Sequence, residues 1–204
     1  MTIGTLYIIS APSGAGKTSL TNALLDITEN LEVSTSHTTR GIRKGEENGK
    51  HYHFVSKTSF EEGIRENLFL EYANVFGNYY GTSQDAINET LSAGTDVILE
   101  IDWQGAQQVR QIIPEVRSIF ILPPSVSELE SRLKSRNQDS DDVISHRVSQ
   151  AKEDITHYVE YDHIIINDDF EIALKDLKSI FRSQRTQTSK IQQRKSDFFT
   201  RLLA

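Results

Sequence analysis

The segment Leu6-Tyr7-Ile8-Ile9-Ser10-Ala11-Pro12-Ser13-Gly14-Ala15-Gly16-Lys17-Thr18 restricts the fold more than any other part of the chain. Leu6 to Ile9 is an uninterrupted apolar run and predicts a buried strand, while Lys17-Thr18-Ser19-Leu20 opens an amphipathic helix. A strand, a small glycine-bearing turn and a helix, in that order, build a phosphate-binding loop. Ala11, Pro12, Ser13, Gly14, Ala15 and Gly16 would wrap an oligophosphate, with backbone N–H groups and the helix N-terminus pointing inward. Gly14 and Gly16 let the backbone approach the phosphates without a Cβ in the way. Lys17 would reach the β and γ phosphates, and the Thr18 hydroxyl would ligate Mg²⁺. Ala11 stands where the motif usually has glycine, so the entry to the loop must keep a negative φ there.

The rest of the chain limits what surrounds this loop. Its 204 residues suffice for one sizeable core. No apolar run reaches membrane-spanning length. The first strand begins by about Thr5, so no signal peptide is expected. With no cysteine there are no disulfides and no thiolate metal sites, and a cytoplasmic location is expected. A net charge of −7 argues against nucleic acid as a partner of the whole molecule. The C-terminal stretch is the exception: Arg182, Arg185, Lys190, Arg194, Lys195 and Arg201 face a single acid, Asp197. A solvated terminal helix accounts for that pattern, with cations favourably placed towards its C-terminus.

Along the chain, Leu20, Ala23, Leu24 and Ile27 give the first helix a buried stripe, and Leu31 to Ser36 alternates as a strand. Residues 38–50 are polar, contain three glycines and cannot build a core, which marks a binding loop. Tyr52 to Val55 predicts a short strand, and Ser59-Phe60-Glu61-Glu62 a capping box for a helix to about Asn67. Leu70 to Phe76 predicts a strand, Gly77 to Gly81 a turn, and Ser83 the start of a helix to Leu91. Buried strands follow at Asp96–Ile101, Ser118–Leu122 and His163–Asn167. Helices lie between and after them at 104–113, from a second capping box at Ser127-Glu128-Leu129-Glu130, over 144–159 and over 170–181. The polar stretch from about Ser135 to Asp142 predicts a mobile hairpin. This alternation predicts an α/β fold: a mostly parallel sheet covered by helices, with ligands at the C-terminal ends of its strands. The expected division is 1–33 core with the loop, 34–82 a small mixed insertion, 83–125 core, 126–158 a helical lid region, and 159–204 the remaining core with a basic C-terminal helix.

Phosphoryl transfer needs in-line positioning and neutralised charge, for which arginine is suited. Arg40 and Arg43 sit in the insertion's loop; Arg132, Arg136 and Arg147 flank the polar hairpin. Val97 to Asp102 resembles a strand that ends in a metal-holding carboxylate, with Glu100 and Asp102 as candidates. His51 and His53 alternate but have no third ligand at a suggestive spacing, so no metal is expected there.

Nearly end to end, the chain resembles the bacterial guanylate kinases. The resemblance is carried by Ser10 to Thr18, Ser36-His37-Thr38-Thr39-Arg40 with Arg43 and Glu46-Glu47-Asn48-Gly49, Phe76 to Thr82, and Ile101-Asp102-Trp103-Gln104-Gly105. It implies a phosphate-loop kinase fold whose insertion binds GMP and whose lid carries arginines, catalysing ATP + GMP ⇌ ADP + GDP with Mg²⁺. By position, Ser36, Arg40, Arg43, Tyr52 and Tyr80 would hold the GMP phosphate, with Glu46 in the same signature. Glu71 and Thr82 would read guanine, and Glu100 and Asp102 would act near metal and acceptor. Lys17, Arg132, Arg136 and Arg147 would serve the triphosphate and transition state, and Asn167 would lie near adenine. The chain departs from the family where Glu100 replaces a frequent Asp and Asn137 a frequent Gly. Chemistry independently favours guanine: N1–H and the 2-amino group are adjacent donors that one carboxylate accepts together, whereas adenine leaves such a carboxylate unpaired. The rivals are another nucleoside monophosphate kinase and a non-catalytic protein-interaction module of similar build. dGMP is expected as a second acceptor, and a homo-oligomer is allowed.

Overall fold

The computed structural model describes residues 3–75, 77–135 and 140–204. Arg136 and Asn137, both singled out above, lie outside them, as does Phe76.

In chain order, β1 (Leu6–Ser10), α1 (Lys17–Asp26) and β2 (Leu31–Val33) are followed by β3 (His37–Thr38) and β4 (His53–Phe54). Then come α2 (Lys57–Arg65), β5 (Phe69–Val75), β6 (Asn78–Ser83), α3 (Gln84–Ser92), β7 (Asp96–Glu100) and α4 (Trp103–Ile112). The remainder is β8 (Arg117–Leu122), α5 (Val126–Ser135), α6 (Asp141–Thr156), a 3-10 turn at His157–Glu160, β9 (His163–Ile166), α7 (Phe170–Arg185), α8 (Thr188–Arg194) and α9 (Ser196–Leu203).

Five strands form one sheet in the order β2-β7-β1-β8-β9, and every pairing in it is parallel. β1 shows why such a strand carries no polar alternation. Tyr7 and Ile9 pack on one face with Leu20, Leu24, Leu177 and Phe181, beneath α1 and α7. Leu6 and Ile8 pack on the other with Ile87, Ala106 and Val109, beneath α3 and α4. Both faces are dry, so both registers of the strand are apolar. A second sheet, β4-β3-β6-β5, joins antiparallel pairs to one parallel pair. Phe60 of α2 stacks against Phe69 at 4.4 Å and Tyr79 at 5.2 Å, giving that sheet its own small core. α5 and α6 share a third, built on Leu129, Leu133, Ile144 and Ala151.

Several local expectations are corrected. The turn expected at 77–81 is instead strand β6 from Asn78 onward, because Val75 already pairs with Asn78 and Gly77, at φ +77°, lies at the reversal between them. Gly81 is needed within that strand, since a Cβ there would come 2.8 Å from the Phe60 ring. Both capping boxes slip by a few residues. Ser56 caps α2, its side chain accepting from the Ser59 N–H, and the Ser125 hydroxyl accepts from the Glu128 N–H at 3.1 Å. A serine-rich stretch offers more than one capping frame, and the frame that aligns the apolar stripe with the core prevails.

The basic C-terminus is more than a solvated face. Asp96, at the start of β7, is fully buried. Arg185 donates to it at 2.7 Å and Arg194 lies 3.4 Å away, while the Thr5 N–H donates to its other oxygen at 2.7 Å. The tail therefore clamps the end of the sheet remote from the loop. Arg185→Ala is expected to lower unfolding free energy by about 2 kcal/mol, because Asp96 keeps only its longer cationic partner. Urea denaturation measures this, and an unchanged midpoint would remove the ion pair from the stability of the fold.

Candidate active site

The turn after β1 takes its shape from two glycines, each at φ +93°. Gly16 is the N-cap of α1, and a Cβ on it would run into the amide of Asn167. That amide donates to the Ala15 carbonyl at 2.8 Å, fastening the loop to the end of β9. Gly14 sits against Leu133 of α5, where a Cβ would come 3.1 Å from Cγ. Among the described residues the only non-glycine residues with positive φ are Asn30 and Asn67, so Ala11 does adopt the ordinary backbone that its side chain requires. Lys17 and Thr18 open α1 and line a cavity of about 340 Å³.

The second sheet supplies the facing wall. Ser36, Arg43, Tyr52, Glu71 and Tyr80 line the same cavity as the loop. Glu71, on β5, is 2% exposed. Thr82, its neighbour on β6, donates to Oε1 at 2.5 Å, and the Ser36 hydroxyl lies 3.3 Å from that of Thr82. Burial pushes the Glu71 carboxyl up to about 7, with the nearby Asp102 charge adding to the rise. Arg40 is turned to Glu46 in a two-pronged ion pair of 2.8 and 3.0 Å, over the rings of Tyr52 and Phe54. The Arg43 N–H donates to the same carboxylate at 2.7 Å. Glu46 thus orders the loop that carries both arginines, and the guanidinium contacts hold its carboxyl below the usual range. Arg43 lines the main cavity; Arg40 lines the adjoining cleft with Asn78 and Tyr80.

At the end of β7, Oε1 of Glu100 is buried with no hydrogen-bond partner. Asp102 caps α4, accepting from the Gly105 N–H at 2.9 Å. Burial raises its carboxyl, an effect that the Gly105 N–H and Lys17 oppose. Hard oxygen donors beside a phosphate loop, one of them orphaned, are what Mg²⁺ takes when phosphates and water complete its shell. Among the described residues no three histidine, cysteine or acidic side chains converge on a metal position, the His51–His53 region included. His53 instead packs on His37, with ring centroids 4.6 Å apart.

Of the arginines expected in a lid region, Arg147, on α6, lines the cavity. Arg132 pairs with Glu128 at 2.8 Å and donates to the Asn167 carbonyl at 3.1 Å, behind the loop. Two residues absent from the sequence reading join the wall: Gln150 and Asp154 of α6. Their spacing from Arg147, three and then four residues, was the signal available in the sequence, since it puts all three on one helical face. Burial and the Asp102 charge push the Asp154 carboxyl up to about 6.

A parallel sheet with a lysine-bearing phosphate loop at the C-terminal end of its central strand, a second polar pocket opposite and an arginine on α6 lining the same cavity define a phosphate-loop nucleotide kinase. Comparison with known proteins narrows this. The guanylate kinase family model matches residues 3–184. The guanylate kinase of Vibrio cholerae serotype O1 is 58% identical over 203 residues, covering 98% of each chain. That of Escherichia coli strain K12 is 55% identical over 206 residues, covering 100% of each. In three dimensions the chain is similar to the crystal structure of guanylate kinase from Anaplasma phagocytophilum, with a TM-score of 0.77 and 34% identity, over 93% of this chain and 90% of the other. The chain belongs to the guanylate kinase family, whose members are enzymes that phosphorylate GMP at the expense of ATP.

Proposed function

We propose that ATP and GMP are held face to face across the one cavity, ATP on the loop after β1 and GMP on the second sheet, and that the γ-phosphoryl group passes directly between them. The observation that carries this assignment is Glu71: a buried carboxylate, oriented by Thr82, opposite a lysine-bearing loop. Its two oxygens can accept the N1–H and one 2-amino proton of guanine, and the Thr82–Ser36 hydroxyl pair continues the polar wall. Arg43, Arg40, Tyr52 and Tyr80 take the GMP phosphate, Arg40 and Arg43 as guanidinium ligands held in place by Glu46. Ala11 to Thr18 take the triphosphate, and Asn167 keeps their loop in register.

Thr18 and Asp102 would hold Mg²⁺, with Glu100 beside them. Bound there, the ion would neutralise charge on the donor phosphates. Lys17 and Arg147 stabilise the charge that spreads over the transferred oxygens, and Arg136 acts with them from the lid. Arg132 acts at one remove, through Asn167 and the loop. Closure of the lid excludes water, which suppresses hydrolysis of ATP.

The enzyme acts in the cytoplasm, uses dGMP beside GMP, needs neither nucleic acid nor membrane, and is open to homo-oligomer formation. Among the described residues no helix is long and apolar enough to cross a membrane. The test is ADP release measured with AMP, CMP, UMP, dTMP and GMP as acceptors. GMP is expected to exceed every other acceptor by about 10³-fold or more in kcat/KM, since a carboxylate placed to accept from paired donors rejects bases that lack them. Comparable use of AMP would overturn the assignment of Glu71.

A further inference from the structure

The lid helix α6 points more than an arginine at the cavity. Arg147, Gln150 and Asp154 line it together, on successive turns. Gln150 and Asp154 also line a smaller adjoining cavity of about 180 Å³, where they meet Asp102, Trp103 and Val75. The side-chain oxygen of Gln150 is buried there without a hydrogen-bond partner. An amide oxygen taken out of water and left without a donor is costly, and a carboxylate beside a second carboxylate more so. Neither arrangement helps the lid fold. Both suit a ligand that brings hydrogen-bond donors.

Resting on the reading of the acceptor as GMP, we propose that Gln150 and Asp154 are specificity-determining residues that accept hydrogen bonds from the acceptor nucleoside and thereby read it a second time, from the lid. Glu71 accounts for the N1–H and one 2-amino proton. Of the donors left over, those assigned to α6 are the second 2-amino proton and the ribose 2′-hydroxyl. An oxygen on α6 that finds one of them gains its partner only when the helix lies over a filled pocket. Recognition of the nucleoside and closure of the lid are then one event, and a nucleoside short of that donor leaves Gln150 orphaned. Asp154 is braced for this task by the face of α4: it lines the smaller cavity beside Trp103, and Trp103 stacks on His157 at 3.7 Å. His157 in turn bonds Glu160 at 2.7 Å, and Glu160 pairs with Arg110 at 2.6 Å.

The experiment crosses enzyme variants with acceptor analogues. Wild type, Gln150→Ala and the near-isosteric Asp154→Asn are assayed with GMP, with IMP, which lacks the 2-amino group, and with dGMP, which lacks the ribose 2′-hydroxyl. Each substitution is expected to lower kcat/KM for GMP about tenfold while leaving KM for ATP within twofold, the effect of one lost hydrogen bond. The analogue that lacks the bonded donor is then insensitive to the substitution. Insensitivity of IMP identifies the amino group, and insensitivity of dGMP the 2′-hydroxyl. Equal losses on all three acceptors, or none, would overturn the proposal, because a merely structural role for α6 cannot distinguish nucleosides. Failure of the wild type to use GMP would count against the proposed function instead, so the two outcomes are separable.

Discussion

Replacing Lys17 by alanine is expected to lower turnover by about 10²-fold or more while changing KM for GMP little, as for loss of one preorganised charge at a developing anion. The ammonium stands at the first residue of α1, where Gly16 at φ +93° turns the chain out of the loop. It faces the cavity that also holds Asp102, whose carboxyl it draws downward. Alanine keeps the helix N-terminus and its N–H groups, so ATP still binds, but the charge that follows the migrating phosphoryl group is gone. Rapid-quench measurement of the chemical step separates this from slowed product release. Full turnover in the variant would remove Lys17 from the transition state.

Glu71→Ala is expected to raise KM for GMP by about 10²-fold or more with KM for ATP nearly unchanged. The pH dependence is a sharper test of the same residue. Free Glu71 titrates at about 7, whereas accepting two guanine N–H groups requires the carboxylate. Binding of GMP therefore expels a proton below that value, and kcat/KM for GMP should climb from pH 6 to 8 and then level off. The GMP phosphate also ionises near pH 6, so the contribution of Glu71 is the part of the rise that Glu71→Gln abolishes.

Stability should move the opposite way. A carboxyl raised from 4.5 to about 7 on folding favours the native state fully below 4.5 and loses that contribution as pH rises to 7. Above pH 7 the nucleotide-free enzyme consequently carries a buried charge that GMP relieves. GMP should therefore raise the melting temperature more at pH 8 than at pH 6, and Glu71→Gln should shrink the difference. Calorimetric scans with and without GMP read both effects.

Legibility followed distance along the chain. The loop from Ala11 to Thr18 is a set of consecutive residues whose chemistry is local, and its conformation matches expectation even at Ala11. The parallel sheet was equally plain, because a strand dry on both faces must be apolar in both registers, as Leu6 to Ile9 is. Caps were misplaced at Ser59 and Ser127, since neighbouring serines compete and only packing of the helix chooses among them. Gly77 to Gly81 reads as a turn in the sequence because two glycines and an asparagine fill three of its five positions. The stacking of Phe60 on Tyr79 and the pairing with β5 decide in favour of a strand, and neither is visible along the chain.

The order of residues alone determined the phosphate loop, the layering of helix on sheet and, through resemblance, the kind of reaction. Tertiary structure alone decided which charges became partners. Glu71 reaches Thr82 and Ser36 through a sheet, Asp96 recruits Arg185 and Arg194 from the far end of the sequence, and α6 carries Gln150 and Asp154 to a cavity opened by α1. Local structure follows from torsional preference and hydrophobic period over a few residues. The pairing of a buried polar group instead depends on which distant donor arrives when water is excluded, and only the folded chain settles that.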